Sequence, residues 1–254
     1  MLASERQDHI RQLLESQEVV RTLDLADMYQ VSAETIRRDF LLLEQAGTLR
    51  RIHGGAQSLH TRNQLQSFSQ RENIQTKQKQ AIARTALQLI HADSIYGFDS
   101  STTALALVNE LPDLAYRAIT NSHRVLEHLT HYKQVELIST GGRYQSKTQT
   151  YVGGDSINTL RHHNINISFL SCVGFDLQRG ASESFEQQAT FKERLVEYSE
   201  KIVLLVDSSK FSQQSEYFFA EPKKIHQIIT DQAIDPAIAQ AIQERGIDLV
   251  IADS

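Results

Sequence analysis

The 254-residue chain has one cysteine, Cys172, and no proline before Pro112. A single thiol excludes an internal disulfide framework and predicts a reducing compartment. Long hydrophobic runs are missing as well. The longest purely aliphatic stretch is Ile202 to Val206, far short of the ~20 residues of a membrane helix, so no membrane partner is expected. The opening residues Met1-Leu2-Ala3-Ser4-Glu5-Arg6 carry charges where a signal peptide has an apolar core, which predicts a cytoplasmic protein. There is no internal repeat and no sustained low-complexity run. A basic excess is also absent: 26 Lys and Arg stand against 31 Asp and Glu, a net charge of −5 with His neutral. Taken whole, that charge discourages a nucleic-acid partner, because such proteins carry a basic footprint. What is present is 40% hydrophobic and 22% charged, the composition of a folded globular chain.

The rhythm of the sequence changes along the chain. Residues 1–56 read as short helices followed by a hairpin and form the first expected domain. Residues 57–78 are polar and Gln-rich and read as a linker, with Phe68 and Arg71 expected to dock on the second domain. Residues 79–254 alternate apolar strand patterns with helical ones. The strand candidates are 94–98, 117–120, 135–139, 167–173, 202–207, 227–230 and 249–252. Helical patterns lie between most of them, at 78–90, 104–111, 124–131, 188–199 and 236–244. Strands apolar on both faces and separated by helices predict an α/β domain with a parallel sheet covered on both sides. The charge divides unevenly: −2 over residues 1–56, +3 over 57–80 and −6 over the remainder.

In the first domain, Leu23 to Asp39 fits a helix-turn-helix. Thr22 is placed to cap its first helix and Ser32 its second. Ile36, Phe40 and Leu43 fall on one face at helical spacing and predict the small core. Ser32 and Thr35 then stand at the exposed start of the second helix, where hydroxyls and backbone N–H groups hold a phosphate. Ala33, Glu34, Arg37 and Arg38 are left to face a DNA groove, where arginine reads guanine through a two-pronged hydrogen bond. Arg50, Arg51 and His53 on the hairpin form a wing on the phosphate backbone. The plain alternative is that Arg37 and Arg38 are the solvated face of an amphipathic helix. With the run Val31-Ser32-Ala33-Glu34-Thr35-Ile36-Arg37-Arg38-Asp39 and the closing Arg51-Ile52-His53-Gly54-Gly55-Ala56, this segment resembles the winged helix-turn-helix of the DeoR family of bacterial transcriptional regulators.

Five short motifs follow apolar strands in the second half, at the strand ends where open α/β sheets place ligands. Asp99-Ser100-Ser101-Thr102-Thr103 is a phosphate-loop candidate. Thr120-Asn121-Ser122 is the second, and Gly141-Gly142-Arg143 the third, where glycines allow close approach. Gly174-Phe175-Asp176 is the fourth. The fifth is Asp207-Ser208-Ser209-Lys210-Phe211, whose Lys210 suits an acidic ligand. Each has a bland reading too: a Ser/Thr run is a helix cap, Gly-Gly a turn, Lys210 a surface charge. The series is similar to the sensor domain of the same family, which resembles ribose-5-phosphate isomerase in fold and binds phosphorylated sugars.

That resemblance implies an effector site of Asp99, Ser100, Ser101, Thr102, Thr103, Asn121, Ser122, Gly141, Gly142, Asp176 and Lys210, with residues 100–103 on the phosphate. Two departures stand out. Ser101 replaces a glycine found in many members, and Gln187-Gln188 stand where many carry two glutamates. Residues 99–102, 121–123 and 171–176 are most similar to the branch that regulates L-fucose use, whose effector is fuculose 1-phosphate. The expected protein is a homo-oligomeric repressor, dimer or tetramer, that binds operator double-stranded DNA and is released by a sugar phosphate. The competing class is a sugar-phosphate isomerase with an appended DNA-binding domain. Against it, Val173 stands where those isomerases carry an Asp and cannot transfer a proton. No cofactor, catalytic residue or metal ligand set is expected; His162 and His163 point to different faces, and His128 and His131 lack further ligands. Cys172, in an apolar strand, is expected to be an inert core residue.

Overall fold

A computed structural model describes residues 3–16, 19–46, 48–52, 54–58 and 67–253. The chain divides into two compact units, Met1–Leu65 and Gln66–Ser254. The first contains α1 (Ala3–Ser16), β1 (Val19–Arg21), α2 (Thr22–Tyr29), α3 (Ala33–Gln45), β2 (Leu49–Ile52) and β3 (Gly55–Ser58). Helical spacing turns Ile10 and Leu14 of α1, Leu25 of α2 and Ile36, Phe40 and Leu43 of α3 inward, where they bury against Val20, Leu49 and Ala56. The three strands pair antiparallel in the order β1-β3-β2. Ser32 caps α3, its hydroxyl accepting from the Thr35 amide at 3.2 Å.

Thr22 does not cap α2. Its backbone N–H donates to the Gly54 carbonyl at 2.9 Å, which carries the β1 pairing up to the helix, so Arg21 takes the cap position with no side-chain bond. The Gly54-Gly55 pair has a steric cause. Gly54 sits at φ +82°, and a Cβ on Gly55 would meet the Val20 carbonyl oxygen at 2.1 Å. Asp39 is buried against α1. Arg6 Nε donates to its carboxylate at 2.6 Å and Gln7 Nε2 at 3.0 Å, so the acid of the Arg-Arg-Asp run is a structural residue.

The second unit opens with α4 (Phe68–Glu72) and α5 (Thr76–Ala86), followed by β4 (Ile95–Phe98), α6 (Thr102–Val108), β5 (Arg117–Thr120), α7 (His123–Leu129) and β6 (Glu136–Ser139). A hairpin of β7 (Arg143–Gln145) and β8 (Thr150–Val152) precedes α8 (Gly154–Leu160) and β9 (Ile165–Leu170). Then come β10 (Gly174–Asp176), β11 (Gly180–Glu183), α9 (Glu186–Glu197), β12 (Ser199–Leu205), β13 (Tyr217–Ala220), β14 (Gln227–Thr230), α10 (Pro236–Glu244) and β15 (Asp248–Ile251). A seven-stranded sheet runs β15-β14-β12-β9-β4-β5-β6 with every pairing parallel. β10, β11 and β13 form a small antiparallel sheet beside it.

Period-two alternation gives the large sheet two cores. Ile202 and Leu204 pack with residues of α8, α9 and α10, whereas Val203 and Leu205 pack with residues of α5, α6 and α7. Among the described residues no helix is long and apolar enough to cross a membrane.

The expected linker 57–78 is corrected at both ends. β3 runs to Ser58, Phe68 is buried in the core of the second unit, and α5 has begun at Thr76. A capping box between Ser67 and Gln70 starts α4. Residues 68–78 look like linker by composition because only one face of each short helix is apolar.

Candidate functional site

The first candidate surface is the amino-terminal half of α3. Ser32, Glu34, Arg37 and Arg38 are exposed, and Ala33 and Thr35 are half-buried beside them. Burial of Ile36, Asp39 and Phe40 on the opposite side leaves this stripe outward. Ser32 Oγ and Thr35 Oγ1 lie 2.9 Å apart at the helix start. Arg37 Nη1 donates to Glu34 at 3.0 Å, and both side chains remain largely solvated, so the pair holds little energy and is free to re-form on another acceptor. On β2, Arg50 is exposed. Arg51, expected on the wing, binds Glu44 of α3 through its backbone N–H at 2.9 Å and its guanidinium at 2.7 Å. The Arg51 backbone N–H, then its guanidinium, hold the Glu44 carboxyl below its usual pKa. Arg51 therefore ties the wing to the end of α3. His53 lies outside the described residues.

The second candidate surface follows from sheet order. From β4 the chain builds β5 and β6 to one side, and β9, β12, β14 and β15 to the other. The β4/β9 boundary is a topological switch point, and its carboxyl end is where such sheets bind ligands. Asp99 follows β4 there and is fully buried. Its carboxylate accepts from the Ser101 amide at 2.9 Å and from the Ser171 amide, after β9, at 2.8 Å. Ser100, Ser101, Thr102 and Thr103 are buried around it. Ser101 Oγ caps α6, accepting from the Ala104 amide at 3.0 Å.

On the next strand, Thr120 Oγ1 donates to the Phe98 carbonyl at 2.7 Å and accepts from the Ser122 amide at 3.0 Å. Asn121 Nδ2 donates to the Tyr151 carbonyl, and Ser122 Oγ caps α7. Lys210, after β12, reaches Ser171 Oγ at 3.3 Å and Asp207 at 3.4 Å. Burial pushes the Asp207 carboxyl up, but Lys210 and the Ser209 hydroxyl and amide hold it below its usual value. The structure thus brings together the Asp99 loop, Ser171 and Lys210, with Asn121 and Ser122 on the adjoining strand. Thr103 Oγ1, Asn121 Oδ1 and Gln188 Nε2 are buried without a hydrogen-bond partner among the described residues. An unpaired buried polar atom costs about 1–3 kcal/mol.

Three further predicted members, Asp176, Gly141 and Gly142, sit in local turns. Asp176 ends β10 in a hairpin, and its carboxylate accepts from the Gln178 and Arg179 amides at 2.9 and 2.8 Å. The Arg179 amide, against the weaker pull of burial, and then the Gln214 side chain hold its pKa down. Gly141 and Gly142 form the turn into β7 with φ of 67° and 107°. A Cβ on Gly142 would stand 2.7 Å from the Val152 carbonyl oxygen, so the close approach there is to the chain's own backbone.

Sequence reasoning missed the residue at the centre of the cluster. Lys192 of α9 is buried, with Nζ 3.1 Å from Asp99, 2.7 Å from the Ser171 carbonyl and hydrogen-bonded to Glu183 of β11. Burial pulls its pKa down, yet Asp99 and Glu183 overcome that and leave it raised. The signal was a lysine on the inward face of α9, one turn after the buried Gln188. Cys172 is buried, and burial raises its thiol pKa to about 12 despite Lys210 and Lys192 nearby.

A helix-turn-helix with an exposed arginine pair, joined to an open parallel α/β unit with buried polar loops at its switch point, defines a transcriptional regulator that carries its own sensor domain. The chain belongs to the DeoR family: residues 6–62 match the DeoR-like helix-turn-helix domain and residues 74–232 the DeoR C-terminal sensor domain. It is 35% identical to an uncharacterised HTH-type transcriptional regulator of Bacillus subtilis, over 97% of this chain and 96% of that one. It is 33% identical to the L-fucose operon activator of Haemophilus influenzae, over 97% and 99%. It is 30% identical to a putative aga operon transcriptional repressor of Escherichia coli O157:H7, over 98% and 93%. Among solved structures, ribose 5-phosphate isomerase A of Methanocaldococcus jannaschii is similar over 52% of this chain and 53% of that one. The identity there is 17% and the TM-score 0.40, a likeness that supports no statement about activity.

Proposed function

We propose that this chain represses a sugar-utilisation operon and is released from operator DNA by a phosphorylated sugar. The observation that carries the reading is the pairing, in one chain, of the exposed Arg37–Arg38 stripe on α3 with the buried polar loops at the β4/β9 switch point. Arg37 and Arg38 read base edges, Ser32 and Thr35 hold a phosphate at the start of α3, and Arg50 adds a backbone contact. The effector lies against residues 99–103, Asn121, Ser122 and Lys210. One helix-turn-helix makes few base contacts, so a dimer or tetramer supplies affinity through effective concentration. Fuculose 1-phosphate is the first sugar phosphate to try, given the relative that activates an L-fucose operon.

A binding rather than a catalytic role is supported by how two candidate proton-transfer groups, Glu183 and Asp176, are occupied. Glu183 is paired with Lys192, and Asp176 with the backbone of its own turn. A thermal-shift screen of the intact chain against sugar phosphates tests the effector. A ligand specific to the native state adds about 2.7 kcal/mol of stability at 100 times its dissociation constant. A panel in which no sugar phosphate moves the transition rejects the effector reading, and turnover of a pentose phosphate rejects the non-enzymatic one.

A further inference from the structure

α3 exposes more than polar groups. Leu41 and Leu42 are 39% and 48% exposed, whereas Ile36, Phe40 and Leu43 of the same helix are buried. An α-helix turns about 100° per residue, which fixes where each side chain stands around its axis. Measured from Glu34, Arg37 lies about 60° to one side and Arg38 about 40° to the other. Leu41 lies about 20° from Glu34, between the two arginines, and Leu42 about 80° away at the edge beside Arg38. Arg37 reaches back to Glu34 at 3.0 Å, towards the helix start and away from Leu41, which is one turn further on. The middle of the arginine stripe therefore carries an open apolar side chain, continuous with the surface of the helix-turn-helix domain that the family match assigns to DNA.

A leucine at that point has a narrow choice of partners on a duplex. Phosphates and most base edges are polar, and covering them with an apolar group removes water without replacing its hydrogen bonds. The exception in the major groove is thymine, which presents a C5 methyl group. We propose that Leu41 packs on a thymine methyl and is a specificity-determining residue of the DNA contact. The inference rests on the proposed operator contact of α3 and adds to it a base that arginine does not read. Arg37 and Arg38 select guanine through hydrogen bonds, and Leu41 selects thymine over cytosine through the methyl alone. Leu41 stands three and four residues past the arginines, about 4.5–6 Å along the helix. At about 3.4 Å per base step, its thymine lies within about two base pairs of a guanine that an arginine contacts.

Duplexes selected by the full chain from a random pool, then remade with deoxyuridine at single thymines, test this by fluorescence anisotropy. The exchange removes the methyl and keeps every hydrogen-bonding group of the base. Wild type is expected to lose about fourfold in affinity for each methyl it covers, at thymines within about two base pairs of a guanine that Arg37→Ala no longer selects. Leu41→Gln, which keeps a good helix former at an exposed position, is expected to bind both duplexes within about 1.5-fold of each other. Leu42→Gln is expected to keep the wild-type ratio. That ratio stands as a test even if a variant fails to fold. A wild-type loss below about twofold at every thymine, or a loss that persists in Leu41→Gln, overturns the role of Leu41. It leaves the α3 contact standing where Arg37→Ala abolishes selection. Equal weakening on both duplexes in Leu41→Gln, with a lower mass in sedimentation, assigns the leucine to a contact between copies and also overturns it. A chain that selects no sequence from the pool overturns both readings.

Discussion

Replacing Lys192 by Met gives the sharpest consequence of the buried cluster. The substitution nearly conserves volume but leaves Asp99 and Glu183 buried without their shared cation. Breaking a buried ion pair from one side costs about 3–5 kcal/mol. Asp99 keeps the Ser101 and Ser171 amides at 2.9 and 2.8 Å, which moderates its share, whereas among the described residues Glu183 keeps only the Ser184 amide at 3.3 Å. We expect a loss near 4 kcal/mol, or roughly 10 °C in the melting of the second unit. Adding Asp99→Asn and Glu183→Gln removes the stranded charges and should recover most of that loss.

Urea unfolding followed by circular dichroism measures both differences. Since the Lys192 pKa is raised above 10.5, its contribution is complete below the unfolded value. It is lost only as pH rises through the folded one, so that contribution is in place at both pH 6 and pH 9. A single variant within about 1 kcal/mol of wild type, or a triple variant no better than the single, refutes the reasoning.

Other outcomes rest on similar physics. Asp39→Ala strands the buried Arg6 guanidinium and should lower first-unit stability by about 3 kcal/mol without moving the transition of a 66–254 fragment; a shift of less than about 0.5 kcal/mol contradicts it. Ser32→Ala removes the α3 cap and should cost about 1 kcal/mol while weakening DNA binding; unchanged stability by urea titration speaks against the cap. Cys172, with its thiol pushed up to about 12, should resist iodoacetamide at pH 8 in the native chain and react fully in urea. Rapid native alkylation, read by mass spectrometry, contradicts its burial.

The parallel sheet was legible because its strands are apolar on both faces, and each expected strand boundary falls within two residues of an observed one except the end of β9, observed at Leu170 rather than Val173, and the start of β12 at Ser199. The polar Asn164, Asn166 and Glu200 bond one another at the starts of β9 and β12 and hide the pairing from a hydrophobicity reading. The small sheet of β10, β11 and β13 and the β7–β8 hairpin went unseen, being three- and four-residue strands whose pairing is set by tertiary context. Ser32 and the inward face of α3 were readable from local rules. Lys192 and the Arg6–Asp39 pair were not, since each joins residues distant in sequence, and a single lysine on a helix reads as a surface charge. The Thr22 cap failed because a three-residue strand, invisible in isolation, extends to Arg21.

The central claim is that the α3 surface and the switch-point loops act on one another. Fluorescence anisotropy of labelled DNA from upstream of the chain's own coding region, titrated with the intact protein across a panel of sugar phosphates, tests it directly. The expected result is salt-sensitive binding that is lost in Arg37→Ala, and at least one sugar phosphate that weakens wild-type binding tenfold or more, equivalent to about 1.4 kcal/mol of coupling. DNA affinity that stays constant while a sugar phosphate is shown by thermal shift to be bound, or that survives Arg37→Ala intact, contradicts it.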